Sequence, residues 1–125
     1  SYEQLPRLSH IRKEIGNLAE KSKNLFAEGN LYYNTSSCGI GYHGDAERKI
    51  VVAFRLGARL PLHYHWFHEG KPIGETVKLS FGMGDLYIMS EKATGCDWKK
   101  KKIPTLRHAA GCTKYTSLPK PKPKK

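Results

Sequence analysis

The feature that most limits how this chain can fold is the alternation of side chains between residues 60 and 67. One set of alternate positions is apolar or aromatic: Leu60, Leu62, Tyr64 and Trp66. The positions between them hold Pro61, His63, His65 and Phe67. A period of two places the two sets on opposite faces of an extended strand. The segment therefore predicts a β-strand with one apolar face and one face that is partly histidine.

Other short segments with strand character follow one another at hairpin spacing. They are Leu31 to Tyr33, the stretch around His43 and Asp45, Ile50 to Leu56, Glu75 to Phe81, Asp85 to Met89, Ile103 to Ala110, and Lys114 to Thr116. Residues 69–74 are predicted to form a loop, and Gly82-Met83-Gly84 a turn. About eight short strands at this spacing predict an antiparallel all-β core, a jelly roll or barrel.

An amphipathic helix is predicted ahead of the strands, from about His10 to about Lys21, with Ser9 as its N-cap. Apolar residues recur there at steps of three and four: Leu5, Leu8, Ile11, Ile15 and Leu18. The fold class is then α+β, an all-β core with an N-terminal helix. A length of 125 residues predicts one domain, residues 1–117, followed by a basic Lys/Pro tail at 118–125 that we expect to lack order.

The chain carries a formal net charge of +11. A field of this sign attracts polyanions, so nucleic acid is the expected partner, although many basic proteins bind none. Part of the charge comes from the Lys/Pro tail, but the rest of the chain is basic without it. No apolar run is long enough to cross a membrane, and we expect no membrane association.

The three cysteines, Cys38, Cys96 and Cys112, show no C-x-x-C spacing. Their odd number and spacing argue against a disulfide framework and against a zinc ribbon. A reducing intracellular compartment, the cytoplasm or the nucleus, is therefore predicted. A monomer is favoured.

His43 and Asp45 are two residues apart, among Gly39, Gly41 and Gly44. On a strand their side chains project from one face, where an imidazole and a carboxylate supply two of the three ligands of a non-haem Fe(II) site. Such a pair is also common on protein surfaces. A second histidine must come from elsewhere, and the choices are His10, His63, His65, His68 and His108.

Two of these choices stand out. His63 and His65 share a strand face and can bind zinc or copper by themselves, or form a polar surface. His108 follows the strand at Asp85 to Met89 and lies near the end of the core. A double-stranded β-helix brings a late strand back beside the strand of the His-x-Asp pair, which favours His108.

Four segments are informative together: Asn30-x-Tyr32, the run from Gly39 to Arg48, a hydrophobic strand entering Leu56-Gly57-Ala58, and the run from Gly84 to Ser90. They resemble the AlkB-like class of 2-oxoglutarate and Fe(II)-dependent dioxygenases. The resemblance extends over about residues 5–115. It implies a double-stranded β-helix, or jelly roll, and an enzyme that uses Fe(II), 2-oxoglutarate and O2. His43, Asp45 and His108 would hold the metal, with no catalytic residue beyond them.

The resemblance also implies how the substrates are bound. Asn30 and Tyr32 correspond to residues that reach 2-oxoglutarate, and Glu47 falls in the loop that recognises the nucleotide. We expect Arg48 to hold a phosphate and Tyr42 to stack on a base.

The chain departs from this class after His108, where the paired arginines are missing. Lys114 is the first choice for the cation that binds the distal carboxylate of 2-oxoglutarate, and Arg107 and Arg55 are second. An alternative alignment makes Arg107 the co-substrate arginine and leaves the metal without a distal histidine, so His108 is preferred.

The predicted activity is oxidative demethylation or hydroxylation of nucleic-acid bases, of the alkylation-repair type. The base would be single-stranded or flipped out of its duplex, and the lysines at 99–102 would hold phosphates. Two alternatives stay open: a protein side-chain hydroxylase on the same fold, and a non-catalytic basic β-barrel that binds nucleic acid.

Overall fold

The computed structural model describes residues 1–120 and contains more strand than helix. Its α-helices are α1 (Pro6–Gly16), α2 (Glu91–Thr94) and α3 (Thr113–Thr116), and single 3-10 turns lie at Tyr2–Gln4 and Glu20–Ser22. Its strands are β1 (Gly39–His43), β2 (Val51–Phe54), β3 (Leu60–His68), β4 (Lys71–Phe81), β5 (Leu86–Met89) and β6 (Thr105–Gly111). The described chain therefore belongs to the α+β class, with a sheet-rich body and short helices, as the pattern of segments predicted.

The strands form two antiparallel sheets. One has four strands in the order β1-β6-β3-β4, and the other pairs β2 with β5. β3 and β4 form a hairpin through Glu69 and Gly70, whose φ angles of 51° and 76° are the positive values that a two-residue turn requires. The late strand β6 lies between β1 and β3, so it contacts the strand that ends at His43.

Each strand of the larger sheet has two distinct faces. Tyr64 lies opposite His108 in the β3–β6 ladder, and the next pair, His65 and Arg107, points to the other face. The face that carries Tyr64 and His108 turns toward β2 and β5, because Phe81 of β4 stacks on Tyr87 of β5 with ring centroids 4.5 Å apart. The most deeply buried apolar side chains are Leu60, Leu62, Phe67, Met89 and Ala109.

Several predicted boundaries were wrong. α1 begins and ends earlier than expected, because Pro6 stands in its first turn, where a proline is tolerated, and Ser9 is inside the helix rather than its cap. The predicted loop 69–74 is a two-residue turn, since Pro72 and Ile73 already pair with β3.

Two predicted strands do not form. The segment from Leu31 to Tyr33 has no regular structure. The segment from Lys114 to Thr116 is part of α3, because Gly111 with a φ of +105° turns the chain at the end of β6. Residues 118–120 of the predicted tail are exposed and irregular, and 121–125 lie outside the described residues. Among residues 1–120, no helix has the length and apolar character needed to span a bilayer.

Candidate metal centre

Two histidines face each other at the junction of β1 and β6. His43 is the last residue of β1, and the ladder places it opposite His108 of β6. Their ring centroids are 4.4 Å apart. The ladder is irregular between Ile40 and His43, and such a bulge re-aims the side chains that follow it. Strand pairing therefore brings together two imidazoles that are distant in sequence.

Asp45 is placed by contacts between its own turn and α2. Its backbone N–H donates to the Thr94 carbonyl at 2.8 Å, and the Thr94 hydroxyl donates to the Arg48 carbonyl at 3.0 Å. Thr94 has no exposed surface. A Cβ on Gly44 would overlap the carbonyl oxygen of Gly95, so only glycine allows this approach. The backbone of α2 thus holds the Asp45 turn against the end of β6.

The three side chains converge on one point. Asp45 Oδ1 is 3.8 Å from His43 Nε2, and Asp45 Oδ2 is 3.5 Å from His108 Nε2. One ligand atom from each residue lies within 4.8 Å of the others. Neighbouring ligands of a divalent ion are about 3 Å apart, so a shift of up to about 1 Å in each side chain would bring these atoms to coordinating distance. The donor set fits Fe(II) as two imidazoles and one carboxylate.

Hydrogen bonding prepares His43 to coordinate a metal. Its Nδ1 lies 2.8 Å from the Gly41 carbonyl oxygen. A carbonyl can only accept, so Nδ1 carries a proton and donates it there, and in the neutral tautomer the lone pair lies on Nε2. A backbone carbonyl commonly fixes the tautomer of a metal-binding histidine in this way.

His108 is prepared by burial. Burial, followed by the neighbouring His43, lowers the pKa of His108 to about 4, although the Asp45 carboxylate and the Ala93 carbonyl act in the opposite direction. Nδ1 is buried and has no hydrogen bond of standard geometry among residues 1–120, so the Ala93 carbonyl interacts with it only loosely. His108 is therefore neutral near pH 7, and its Nε2, which faces Asp45, can bind a metal.

Three tyrosines and one arginine extend from this cluster. Tyr64 lies next to His108, with ring centroids 5.8 Å apart, and burial, Tyr87 and the Asp45 carboxylate raise the pKa of Tyr64. Burial also raises the pKa of Tyr87 and of Tyr32, while the Arg55 guanidinium beside both acts in the opposite direction. All three phenols are therefore protonated near pH 7 and can donate hydrogen bonds.

The residues predicted to bind the co-substrate or the nucleotide differ in where they lie relative to the triad. The Arg48 guanidinium donates to Glu28 at 2.6 Å, yet it is near enough to His108 to lower the pKa of that ring. Asn30 and Glu47 are exposed. Tyr42 lies on the face away from the triad, where its hydroxyl donates to the Thr116 carbonyl, so the structure does not bring it beside the metal ligands.

The two preferred cations lie elsewhere. Arg107 neighbours His108 in β6 and so points to the opposite face, where its guanidinium lies 4.2 Å from the ring centroid of Phe67 and 5.2 Å from that of Trp98. Lys114 is exposed on α3, with its ammonium 5.4 Å from the ring centroid of Tyr115. The structure brings neither of them to the triad.

The alternative histidine pair has separate partners. His63 Nδ1 contacts the Thr116 carbonyl at 3.4 Å, and His65 Nδ1 contacts the Thr76 hydroxyl at 2.9 Å. In the described part of the chain, the triad is the one group with metal-binding spacing.

The sequence analysis did not identify Thr94 and Gly95, which hold the Asp45 turn. The only sequence signal of a helix there was Ser90-Glu91, a typical helix start.

Comparisons with known proteins add one relative. The chain is 56% identical over 92 residues to the uncharacterized protein R156 of Acanthamoeba polyphaga mimivirus. The match covers 74% of this chain and 36% of that protein, so the chain spans little more than a third of the relative's length. No family model matches the chain. No solved structure matches it either.

Proposed function

We propose that this chain is a 2-oxoglutarate and Fe(II)-dependent dioxygenase of the AlkB-like class. The observation that carries the proposal is the convergence of His43, Asp45 and His108 from two strands and a turn. A four-stranded and a two-stranded antiparallel sheet in contact through Phe81 and Tyr87, with β6 beside β1, support a double-stranded β-helix as its fold.

The residues fit the group that they would hold. With Fe(II) and 2-oxoglutarate bound, such a site supplies O2-dependent oxidation of a substrate C–H bond. His43 and His108 each present an imidazole Nε2 to the Asp45 carboxylate, at 3.8 and 3.5 Å. Three protein ligands would leave other coordination positions of the ion for the co-substrate and O2.

Basic residues that follow the Asp45 turn and Trp98 in the chain support a nucleic-acid substrate. Trp98 packs against Gly44, directly before Asp45, and the exposed lysines at 99–102 follow Trp98. Arg48 follows Asp45 in the chain and is near enough to His108 to lower the pKa of that ring. Cations in these places would hold the backbone of a single strand while one unstacked base reaches the metal. A protein side chain would make less use of this charge.

The test is succinate formation from 2-oxoglutarate by protein reconstituted anaerobically with Fe(II) and then exposed to O2. We expect wild-type turnover to rise with a methylated single-stranded oligonucleotide. In Asp45→Ala and His108→Ala, this turnover should fall at least about 100-fold, and most of the bound iron should be lost. The exposed His10→Ala is the matched control and should retain both.

Circular dichroism shows whether each variant folds. A folded Asp45→Ala protein with wild-type turnover would rule out the triad. A wild-type protein that binds iron but never consumes 2-oxoglutarate would rule out the enzyme. If only peptides stimulate turnover, the substrate is protein.

A further inference from the structure

We infer that Arg55, together with Tyr32 and Tyr87, binds the distal carboxylate of 2-oxoglutarate. This inference rests on the proposed function. It assigns the cation to the end of β2, whereas the resemblance places it after His108 and the sequence favoured Lys114. The argument depends on where Arg55 points, on what its guanidinium lacks, and on what joins it to the metal ligands.

Backbone pairing directs Arg55 inward. Its N–H donates to the Asp85 carbonyl at 2.9 Å, and the Gly84 N–H donates to the Arg55 carbonyl at 2.8 Å. These bonds place Arg55 opposite Asp85 and Gly84, one residue beyond the last β2–β5 pair, so side chains keep alternating along β2 as far as Arg55. Phe54 is 44% exposed on the outer face. Arg55 therefore points to the inner face, with Tyr87.

The Arg55 guanidinium has no anion to balance it. Nε is buried without a hydrogen-bond partner, and no salt bridge to Arg55 occurs among residues 1–120. The nearby Asp85 carboxylate instead accepts from the Gly82 N–H at 2.8 Å. A partly buried cation without a partner is unfavourable, and a ligand carboxylate would supply the missing acceptor.

The groups around Arg55 suit an anion. The Tyr32 ring lies 5.5 Å from the guanidinium carbon, and Tyr87 is close enough for Arg55 to influence its pKa. Both phenols can donate hydrogen bonds, and neither carries a charge near pH 7. Two hydroxyls beside a guanidinium form a donor set that matches one carboxylate group.

Tyr64 connects this donor set to the triad. It is near Tyr87 on one side and near Asp45 and His108 on the other. An acid held at the metal through its 2-oxo end would extend past Tyr64 and reach Arg55 only if it carried a second carboxylate. This arrangement selects a dicarboxylate over a 2-oxo acid with one carboxylate.

Ligand binding without turnover tests the inference. The Fe(II) protein is titrated anaerobically with 2-oxoglutarate and with 2-oxobutyrate, which lacks the distal carboxylate, and the visible metal-to-ligand absorption band reports binding. We expect Arg55→Gln to lower the affinity for 2-oxoglutarate about 10- to 100-fold and to leave the affinity for 2-oxobutyrate unchanged. Arg55→Lys should recover part of the loss. Arg59→Gln, which removes an exposed arginine, is the control.

The outcomes separate the two proposals. If wild type prefers 2-oxoglutarate and Arg55→Gln keeps that preference, another cation binds the carboxylate and this inference is wrong, while the proposed function stands. An equal loss for both ligands would mean that Arg55 only supports the fold, which also overturns it. If wild type with iron binds neither acid, the proposed function fails as well.

Discussion

His108 is a histidine with almost no access to water. Its side chain is 7% exposed, and it lies between the His43 ring and the Asp45 carboxylate. Burial penalises the imidazolium more than Asp45 stabilises it, which is why its pKa falls to about 4 from the usual 6.5. Without a metal, the native protein therefore holds a neutral imidazole where the unfolded chain can hold a charged one.

This difference predicts acid sensitivity of the metal-free protein. Between pH 6.5 and about 4 the unfolded state binds more protons at His108, so this contribution to stability is complete above pH 6.5 and is lost as the pH falls toward 4. The loss is about 3 kcal/mol at most. Urea unfolding at pH 7, 5.5 and 4 measures it, and His108→Gln should flatten the dependence.

His10→Gln provides the control and should leave the pH dependence intact. Burial also lowers the pKa of His65, which adds a dependence of the same sign, so the comparison between variants isolates His108. A His108→Gln protein that loses stability with acid as steeply as wild type would contradict the prediction.

Sequence spacing predicted part of this cluster. The two-residue step from His43 to Asp45 indicated that both would face one ion, but not on one strand as expected, because β1 ends at His43 and Asp45 is held in the following turn by Thr94. The order of strands indicated His108. The period of two could also have predicted that Arg107 and His108 point to opposite faces, because adjacent residues of a strand do so. Arg55 could not be ranked above Lys114, because its direction depends on the pairing of β2 with β5. Metal binding by the triad stays a prediction.

Among the elements, the short helix α2 holds the turn that carries the Asp45 carboxylate. It has four residues, yet it binds the Asp45 turn through the Thr94 carbonyl and hydroxyl. Its N-cap is Ser90, whose hydroxyl accepts from the Ala93 N–H, and its C-cap is Gly95 with a φ of 71°. A short helix with both ends fixed can hold the carboxylate rigidly.

Thr94→Val should therefore loosen Asp45 without changing a ligand. The valine keeps the shape and removes the hydroxyl that bonds to the Arg48 and Glu91 carbonyls. We expect iron affinity to fall about 10-fold or more, with a loss of about 1–2 kcal/mol in the free energy of unfolding. Iron titration and urea unfolding measure the two effects. Thr94→Ser keeps the hydroxyl and should keep most of the affinity; equal affinity in Thr94→Val would refute this role.

The contact between Gly44 and Gly95 gives a steric prediction. A methyl group on Gly44 would meet the Gly95 carbonyl and lie 2.6 Å from the Trp98 Cβ. Gly44→Ala should cost about 1–3 kcal/mol of unfolding free energy, as seen for overpacked sites. Gly41→Ala is the control, because its nearest neighbour is the Tyr115 carbonyl at 4.0 Å. Thermal or urea unfolding of the two variants tests this prediction, and equal stability would disprove the close approach of Gly44 to Gly95.

Strands whose pattern was strongly alternating or apolar were predicted well. β2, β3 and β5 are confirmed within one or two residues of their predicted bounds. Two short segments were predicted wrongly as strands. The segment from Leu31 to Tyr33 has aromatic residues but no partner strand, and the segment from Lys114 to Thr116 is helical because the chain turns at Gly111. Such segments depend on tertiary contacts that the local sequence does not contain.

For the whole molecule, the net charge of +11 makes salt the first variable to test. If the lysines at 99–102 hold phosphates, replacing all four with glutamine should reduce the slope of log affinity against log salt by up to about 3 for a single strand. Fluorescence anisotropy with a labelled oligonucleotide measures this. Replacing Arg7, Lys13, Lys21 and Lys23 removes the same charge from the N-terminal segment and should change the slope less; equal changes would show that binding is nonspecific.

The order of the first sheet has a mechanical consequence. His43 ends the first strand and His108 lies in the last, so an ion held by both would act as a cross-link between distant parts of the chain. Like a disulfide, it would close a long loop and reduce the entropy of the unfolded state. Iron would then protect the whole sheet from heat and proteases, and a chelator would weaken the body of the protein along with its chemistry.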